Sequence, residues 1–253
     1  MFRYIKILNK SLSGSTSVRY LSSFEKFQRW YRDLWDPKVP GPPFKHVCQV
    51  GDPTLRLKSS EVALEELNSE RIKNILLVLR GVMKHYKSIG ISAPQIGIPL
   101  RIIMIEIPDY MVKQFGPEAC KTREIVEIPF KVGRLEKLNF TNNLAKICLQ
   151  VFINPEMQVK DFKKTLFPEG CESLKGISAL VPRYKAVHVK GYDYDGSPTE
   201  WAATGWAARI VQHEMDHLDG QMYTDIMESK SLQVDLWKTI NAHKGNILVK
   251  YNK

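Results

Sequence analysis

Three absences narrow the reading before any motif is considered. The 253-residue chain contains no run of 18 or more apolar residues, so no segment has the length a transmembrane helix needs. Its four cysteines, Cys48, Cys120, Cys148 and Cys171, include no C-x-x-C pair. Four thiols so widely spaced in a chain this long do not make a disulfide scaffold, and a reducing compartment is expected. No internal repeat or low-complexity tract is visible, so a stacked repeat architecture is not expected.

A fourth absence is local. Residues 1–24, MFRYIKILNKSLSGSTSVRYLSSF, hold no Asp or Glu, while Arg3, Lys6, Lys10 and Arg19 are basic and six residues are serine. A basic, serine-rich, acid-free start without a long apolar centre has the composition of a mitochondrial transit peptide. Such a leader would place the mature protein in the mitochondrial matrix. The formal net charge is +10, and removing these four positive charges leaves +6. The remaining lysines and arginines are spread along the chain, which describes a solvated surface and does not by itself indicate RNA or a membrane.

The chain is long enough for one sizeable core. Residues 36–46, DPKVPGPPFKH, hold four prolines and read as an extended linker, part of an N-terminal extension over 25–45. Residues 68–88 are the clearest helix, with Ile72, Ile75, Leu76, Leu79, Val82, Met83 and Tyr86 at helical spacing and Asn68 as N-cap. Pro94 and the glycines of GISAPQIGIP stop that helix, and LRIIMIEI (100–107) follows as a strand. Residues 150–159 and 185–196 read as strands, with Asp195-Gly196 as a hairpin turn, and 201–220 as a second helix that Gly220 can end. Residues 108–150 look like an insertion, and the tail over 227–253 is polar and partly helical. The order of elements indicates an α+β fold.

The second helix contains HEMDH. His213 and His217, four residues apart, share one helical face and can bind one metal ion. Glu214 is placed to act as a general base there. A catalytic site of this kind takes three protein ligands. Downstream, Asp219, Asp225 and Glu228 are candidates for the third, and no histidine follows until His243. Upstream, Cys171 in PEGCESLKG is the strong candidate; alone it would more often be a buried thiol.

Together, GISAPQIG (90–97), EGCES (169–173) and QHEMDH (212–217) resemble the three motifs of the peptide deformylases in their order and spacing. DPTLR (52–56) and LVPRYKAV (180–187) extend the match over residues 46–226. The leader and the wording of the motifs are similar to the animal mitochondrial branch. The resemblance implies an α+β fold of antiparallel sheets packed around the central metal-binding helix. It implies removal of the formyl group from N-terminal formyl-methionine of nascent mitochondrial polypeptides. It also implies one divalent ion (iron(II), zinc, cobalt or nickel) on Cys171, His213 and His217, with Glu214 as general acid and base. Gln95 and the backbone N–H of Glu172 would stabilise the oxyanion. Ile89, Gly90, Pro168 and Gly170 would line the substrate. Similar mitochondrial members suggest a homodimer, and the mitochondrial ribosome is the partner the substrate implies.

Glu172 departs from the family, where leucine is usual at this position. Its carboxylate would oppose a developing oxyanion if it faced the cleft. A weakly active or non-catalytic binding protein of the same fold is therefore the alternative reading. An endopeptidase using H-E-x-x-H is disfavoured by the cysteine ligand and by Gln95.

Overall fold

A computed structural model describes residues 41–107, 118, 121 and 149–247. The leader over 1–24 lies outside the described residues, as does most of the 108–150 insertion. The described residues belong to one unit that begins at Gly41.

Helix α1 spans Glu70–Tyr86. Its N-cap is Ser69, one residue after the expected Asn68; the Ser69 hydroxyl accepts from the Ile72 N–H at 3.2 Å. Lys87, at φ 56°, ends the helix in the left-handed conformation. The seven apolar residues recognised by spacing are all buried. Leu79 is wholly enclosed, and truncating such a side chain to alanine costs about 2–5 kcal/mol.

The chain then forms β1 (Gly90–Ser92), a 3-10 turn at Ala93–Ile96 and β2 (Ile102–Glu106). Gly97 closes the turn at φ 81°, with the ring of Phe44 so near that a β-carbon would meet it at 2.5 Å. Two long strands follow, β3 (Leu149–Cys171) and β4 (Leu174–Tyr192), then β5 (Pro198–Thr204). Helix α2 spans Gly205–Leu218, β6 Gln233–Val234 and α3 Trp237–Ala242. The strands make one antiparallel sheet ordered β1-β2-β3-β4-β5, with β6 also on β4. The expected plural sheets are one sheet among the described residues.

The two largest core clusters lie on opposite faces of β2. Ile102 and Met104 join α1, Ile91 and Ile96, while Ile103 and Ile105 join Phe152, Val187 and α2. A strand buried on both faces favours apolar residues in succession, which is why Ile102–Ile105 show no alternation.

Two sequence expectations are corrected. The strands expected at 150–159 and 185–196 are parts of a longer hairpin, bulged between Val159 and Asp161 and again between Asp161 and Lys164. The second helix begins at Gly205; Trp201–Thr204 instead pair with β4, Trp201 opposite Val189 and Ala203 opposite Val187. Burial alternates there, with Trp201 and Ala203 inside, so packing against β4 overrides the helix preference of alanine. The Asp195-Gly196 turn is present, closed by Gly196 N–H donating to Asp193 O at 3.0 Å.

Candidate metal centre and substrate cleft

The spacing of HEMDH places two imidazoles on one side of α2, with ring centroids 4.9 Å apart. Cys171 comes from the end of β3. A register shift between Gly170 and Cys171 marks where the strand departs from regular pairing, a device that re-aims a side chain. Its Sγ lies 3.3 Å from His217 Nε2. The ligand atoms of Cys171, His213 and His217 lie within 4.8 Å of one another. Two distant segments thus meet as a compact sulfur and nitrogen donor set.

A carboxylate that the sequence reading assigned no role orients this set. Glu169 lies two residues before Cys171, and its Oε1 is 2.7 Å from His213 Nδ1. That contact leaves Nε2 of His213 for a metal, the usual outer support of a metal-binding imidazole. Arg183 of β4 grips Glu169 through Nη2 at 2.6 Å and Nε at 3.2 Å, and reaches Asp216 of α2 through Nη1 at 2.5 Å. Burial would raise the Glu169 carboxyl, but His213 and Arg183 outweigh it and hold the group down to about 2. Burial likewise opposes the charged form of Cys171, yet His217 and His213 hold its thiol well below the ordinary value. The set therefore favours a thiolate, and a divalent cation can take the place of the imidazole protons that stabilise it. The residues present fit such an ion.

Glu214 points into the same space. It is 3% exposed, and its Oε2 is buried without a hydrogen-bond partner among the described residues. Burial pushes its carboxyl up to about 7, against the opposing pull of His213 and His217. A group near 7 both accepts and releases protons at neutral pH.

Gln95, 3% exposed, is held from its carbonyl side. Its Oε1 accepts from the Ser92 N–H at 3.0 Å and from the Ser92 hydroxyl at 3.2 Å. Nε2 consequently faces Ser173 Oγ at 3.2 Å and Cys171 Sγ at 3.5 Å. Ser92 and Ser173 are further contributors that the sequence reading did not assign; both lie in the matching motifs.

A cleft of about 420 Å³ opens over these groups. Ile89, Gly90, Pro168, Gly170 and Glu172 line it with Gln95, Cys171, His213 and Glu214, while His217 lies outside its lining. The backbone of Glu172 is anchored by its carbonyl, which accepts from Gln49 Nε2 at 3.0 Å. Gly90 is required sterically, since a β-carbon there would meet Glu214 Oε1 at 2.4 Å and Ile210 Cγ2 at 2.9 Å.

The fold and this site define a hydrolase of the deformylase type, and comparison with known proteins agrees. The polypeptide deformylase family model matches residues 44–233. The mitochondrial peptide deformylase of Homo sapiens is 38% identical over 202 residues, covering 80% of this chain and 75% of the human one. The chloroplastic/mitochondrial peptide deformylase 1A of Arabidopsis thaliana is 40% identical over 187 residues, 74% of this chain and 62% of that protein. The Met-Ala-Ser-bound crystal structure of the class I type b enzyme from Acinetobacter baumannii superposes with a TM-score of 0.55 at 27% identity. It covers 75% of this chain and 99% of the bacterial one. The chain belongs to the peptide deformylase family and is an enzyme of that class.

Proposed function

We propose that this protein hydrolyses the formyl group from the N-terminal formyl-methionine of polypeptides made in mitochondria, releasing formate. The observation that carries the reading is the buried, unpartnered Oε2 of Glu214 beside the Cys171–His213–His217 donor set. A divalent ion held by those three residues supplies Lewis acidity and lowers the pKa of a water it binds. Iron(II), zinc, cobalt and nickel all suit the donors.

The chain's own residues account for the rest. Glu214 takes a proton from the attacking water as the oxygen adds to the formyl carbon, then delivers it to the leaving amine as the C–N bond breaks. Gln95 Nε2 and the backbone N–H of Glu172 face the developing oxyanion. Ile89 and the α2 side chains accept the methionine. Gly90, Pro168 and Gly170 let the peptide backbone lie close in an extended form, a mode that tolerates many sequences. The peptide in the Acinetobacter baumannii structure is Met-Ala-Ser, which supports a methionine-led substrate here.

Residues 1–24 are proposed as a mitochondrial transit peptide, 25–45 as an extension, 46–226 as the catalytic region and 227–253 as a tail. The name of the human relative supports a mitochondrial location, and the matrix is the compartment we propose. Encounter with nascent chains at the mitochondrial ribosome, and a homodimer, belong to the same proposal.

The experiment is a formate-release assay on metal-loaded protein with formyl-Met peptides. Release that disappears in Glu214→Ala is expected; none from fully loaded wild type would overturn the reading. A second, weakly active or non-catalytic reading is favoured by Glu172, which lines the cleft. At about 6 Å two unit charges repel by roughly 0.7 kcal/mol in water and about 2.8 at an effective dielectric of 20. A rise in turnover in Glu172→Leu would support that brake.

A further inference from the structure

Residues 44–50 form a strap across the two turns that carry the proposed oxyanion donors. On the Gln95 side, Phe44 N–H donates to Ile96 O at 2.9 Å and Cys48 N–H to Gln95 O at 2.8 Å. On the side of the β3–β4 turn, Val50 N–H donates to Ser173 O at 2.7 Å. The Gln49 side chain completes the strap. Its Nε2 donates to Glu172 O at 3.0 Å and to Val47 O at 3.2 Å. Both partners are carbonyls, so the amide meets them with its two N–H bonds. One hydrogen ties the side chain to its own strap, and the other reaches the turn.

The turn depends on such support. Glu172 and Ser173 link Cys171, the last residue of β3, to Leu174, the first of β4. The ladder shifts register between Gly170 and Cys171, so the turn does not inherit the regular pairing of the strands. Its two carbonyls instead accept from consecutive residues of the strap. The peptide joining Glu172 to Ser173 is held at both ends, its carbonyl by Gln49 and its N–H by Cys171 Sγ at 3.4 Å. The Glu172 N–H lies on the preceding peptide, between the Cys171 side chain in the donor set and the clamped Glu172 carbonyl. Releasing that carbonyl lets the backbone rotate at Glu172 and swings its N–H. Gln95 is held separately, by Ser92. Gln49 is half-buried and lies outside the lining of the cleft, so it acts through Glu172 and not by touching substrate.

Building on the deformylase reading, we propose that Gln49 is a positioning residue for the oxyanion. It holds the turn so that the Glu172 N–H points where negative charge develops on the formyl oxygen. A donor of this kind helps only while aimed at that oxygen. Ground-state contacts with the peptide do not pass through Gln49, so its loss falls on kcat and spares KM.

The test replaces Gln49 with methionine, which keeps the length of the side chain and removes both N–H donors. In metal-loaded Gln49→Met, kcat on a formyl-Met peptide is expected to fall by about ten- to a hundredfold, the size of a misplaced group. KM and bound metal should stay near wild type. A thioformyl-Met peptide isolates the oxyanion contribution, because sulfur accepts hydrogen bonds weakly. The substitution should cost severalfold less on that peptide, whereas a general loosening of the fold would slow both alike. Gln49→Asn keeps the NH2 group on a side chain one methylene shorter, which cannot span both carbonyls. It should fall between wild type and Gln49→Met, and it carries the same comparison if the methionine variant folds poorly. An unchanged kcat, a loss confined to KM, or an equal loss on both peptides would overturn the proposal. Amide NMR of the zinc-loaded protein reads the clamp without turnover. The Ser173 N–H shares its peptide with the Glu172 carbonyl and should shift in Gln49→Met; a resonance that stays in place would also overturn the proposal. That shift together with no formate release from wild type would count against the deformylase reading alone.

Discussion

Gly90 and Glu214 interlock: the glycine leaves the space that the Glu214 carboxylate fills, and a β-carbon would come within 2.4 Å of Oε1. A flexible side chain can retreat from such a clash, but this carboxylate is enclosed beneath the cleft. In Gly90→Ala the carboxylate is expected to shift by about 1 Å, a displacement that costs on the order of 10²-fold in rate. Formate release should fall by that factor while bound metal stays at wild-type level. Normal turnover in this variant would show that Glu214 has room that the structure does not show.

Glu169→Gln keeps the size of the side chain but removes the anion that faces His213 Nδ1. Outer partners of this kind are typically worth about 10–100-fold in metal affinity. Chelator competition should reveal a loss of that order, whereas the melting temperature of metal-stripped protein should also drop because Arg183 loses its main partner. Unaltered metal affinity would mean that Arg183 and Asp216 suffice to orient the imidazole.

The two described thiols should behave oppositely after metal removal. His217 and His213 favour the Cys171 thiolate, while burial, reinforced by Asp52, pushes the Cys48 thiol up to about 12. Thiolate is the reacting form. At pH 7 an alkylating reagent should modify Cys171 first in stripped protein, and added metal should protect it. Mass spectrometry of the labelled peptides reads the order directly; faster labelling of Cys48 would contradict it.

Asp225 provides an acid-sensitive contact. Its carboxylate pairs with Arg56 and accepts from the Met222 N–H at 2.8 Å. The Arg56 guanidinium holds its carboxyl below the ordinary value against the opposing effect of burial. A carboxyl depressed by folding stabilises above its unfolded pKa, about 3.9, and that contribution disappears as pH falls through the folded value. Both partners are more than a third exposed on the side-chain scale, so the gain is below about 1 kcal/mol. The melting temperature of Asp225→Asn should lie a few degrees or less under wild type at pH 6, and the gap should close as pH falls through the depressed folded value. A gap that persists in acid would assign the effect to packing.

Much of this site was legible because its chemistry is written in short local patterns. The His213–His217 spacing and the apolar face from Ile72 to Tyr86 follow directly from helical periodicity. Cys171 needed more: only the joint presence of three motifs distinguished it from a buried thiol. The contacts of Arg183 with Glu169 and Asp216 were not legible, because they depend on the register of a 23-residue strand against a 19-residue partner. Trp201–Thr204 were misread because alanine suits a helix, whereas their position is set by pairing with β4. The two-residue strand β6 carries too little pattern to be seen in sequence, and its place is fixed by backbone bonds to Gly176–Leu180.

The polar contacts from Asp216 through Arg183 and Glu169 to His213 begin and end on the same helix, three residues apart. They form a closed brace that ties the hairpin supplying the sulfur ligand to the helix supplying the nitrogen ligands. Sliding one element past the other would break both contacts that cross between them, Arg183 with Asp216 and Glu169 with His213, and Arg183 is only 3% exposed. The sulfur and nitrogen donors consequently move as parts of one rigid body, and the freedom needed to admit and release peptide must come from the rim of the cleft.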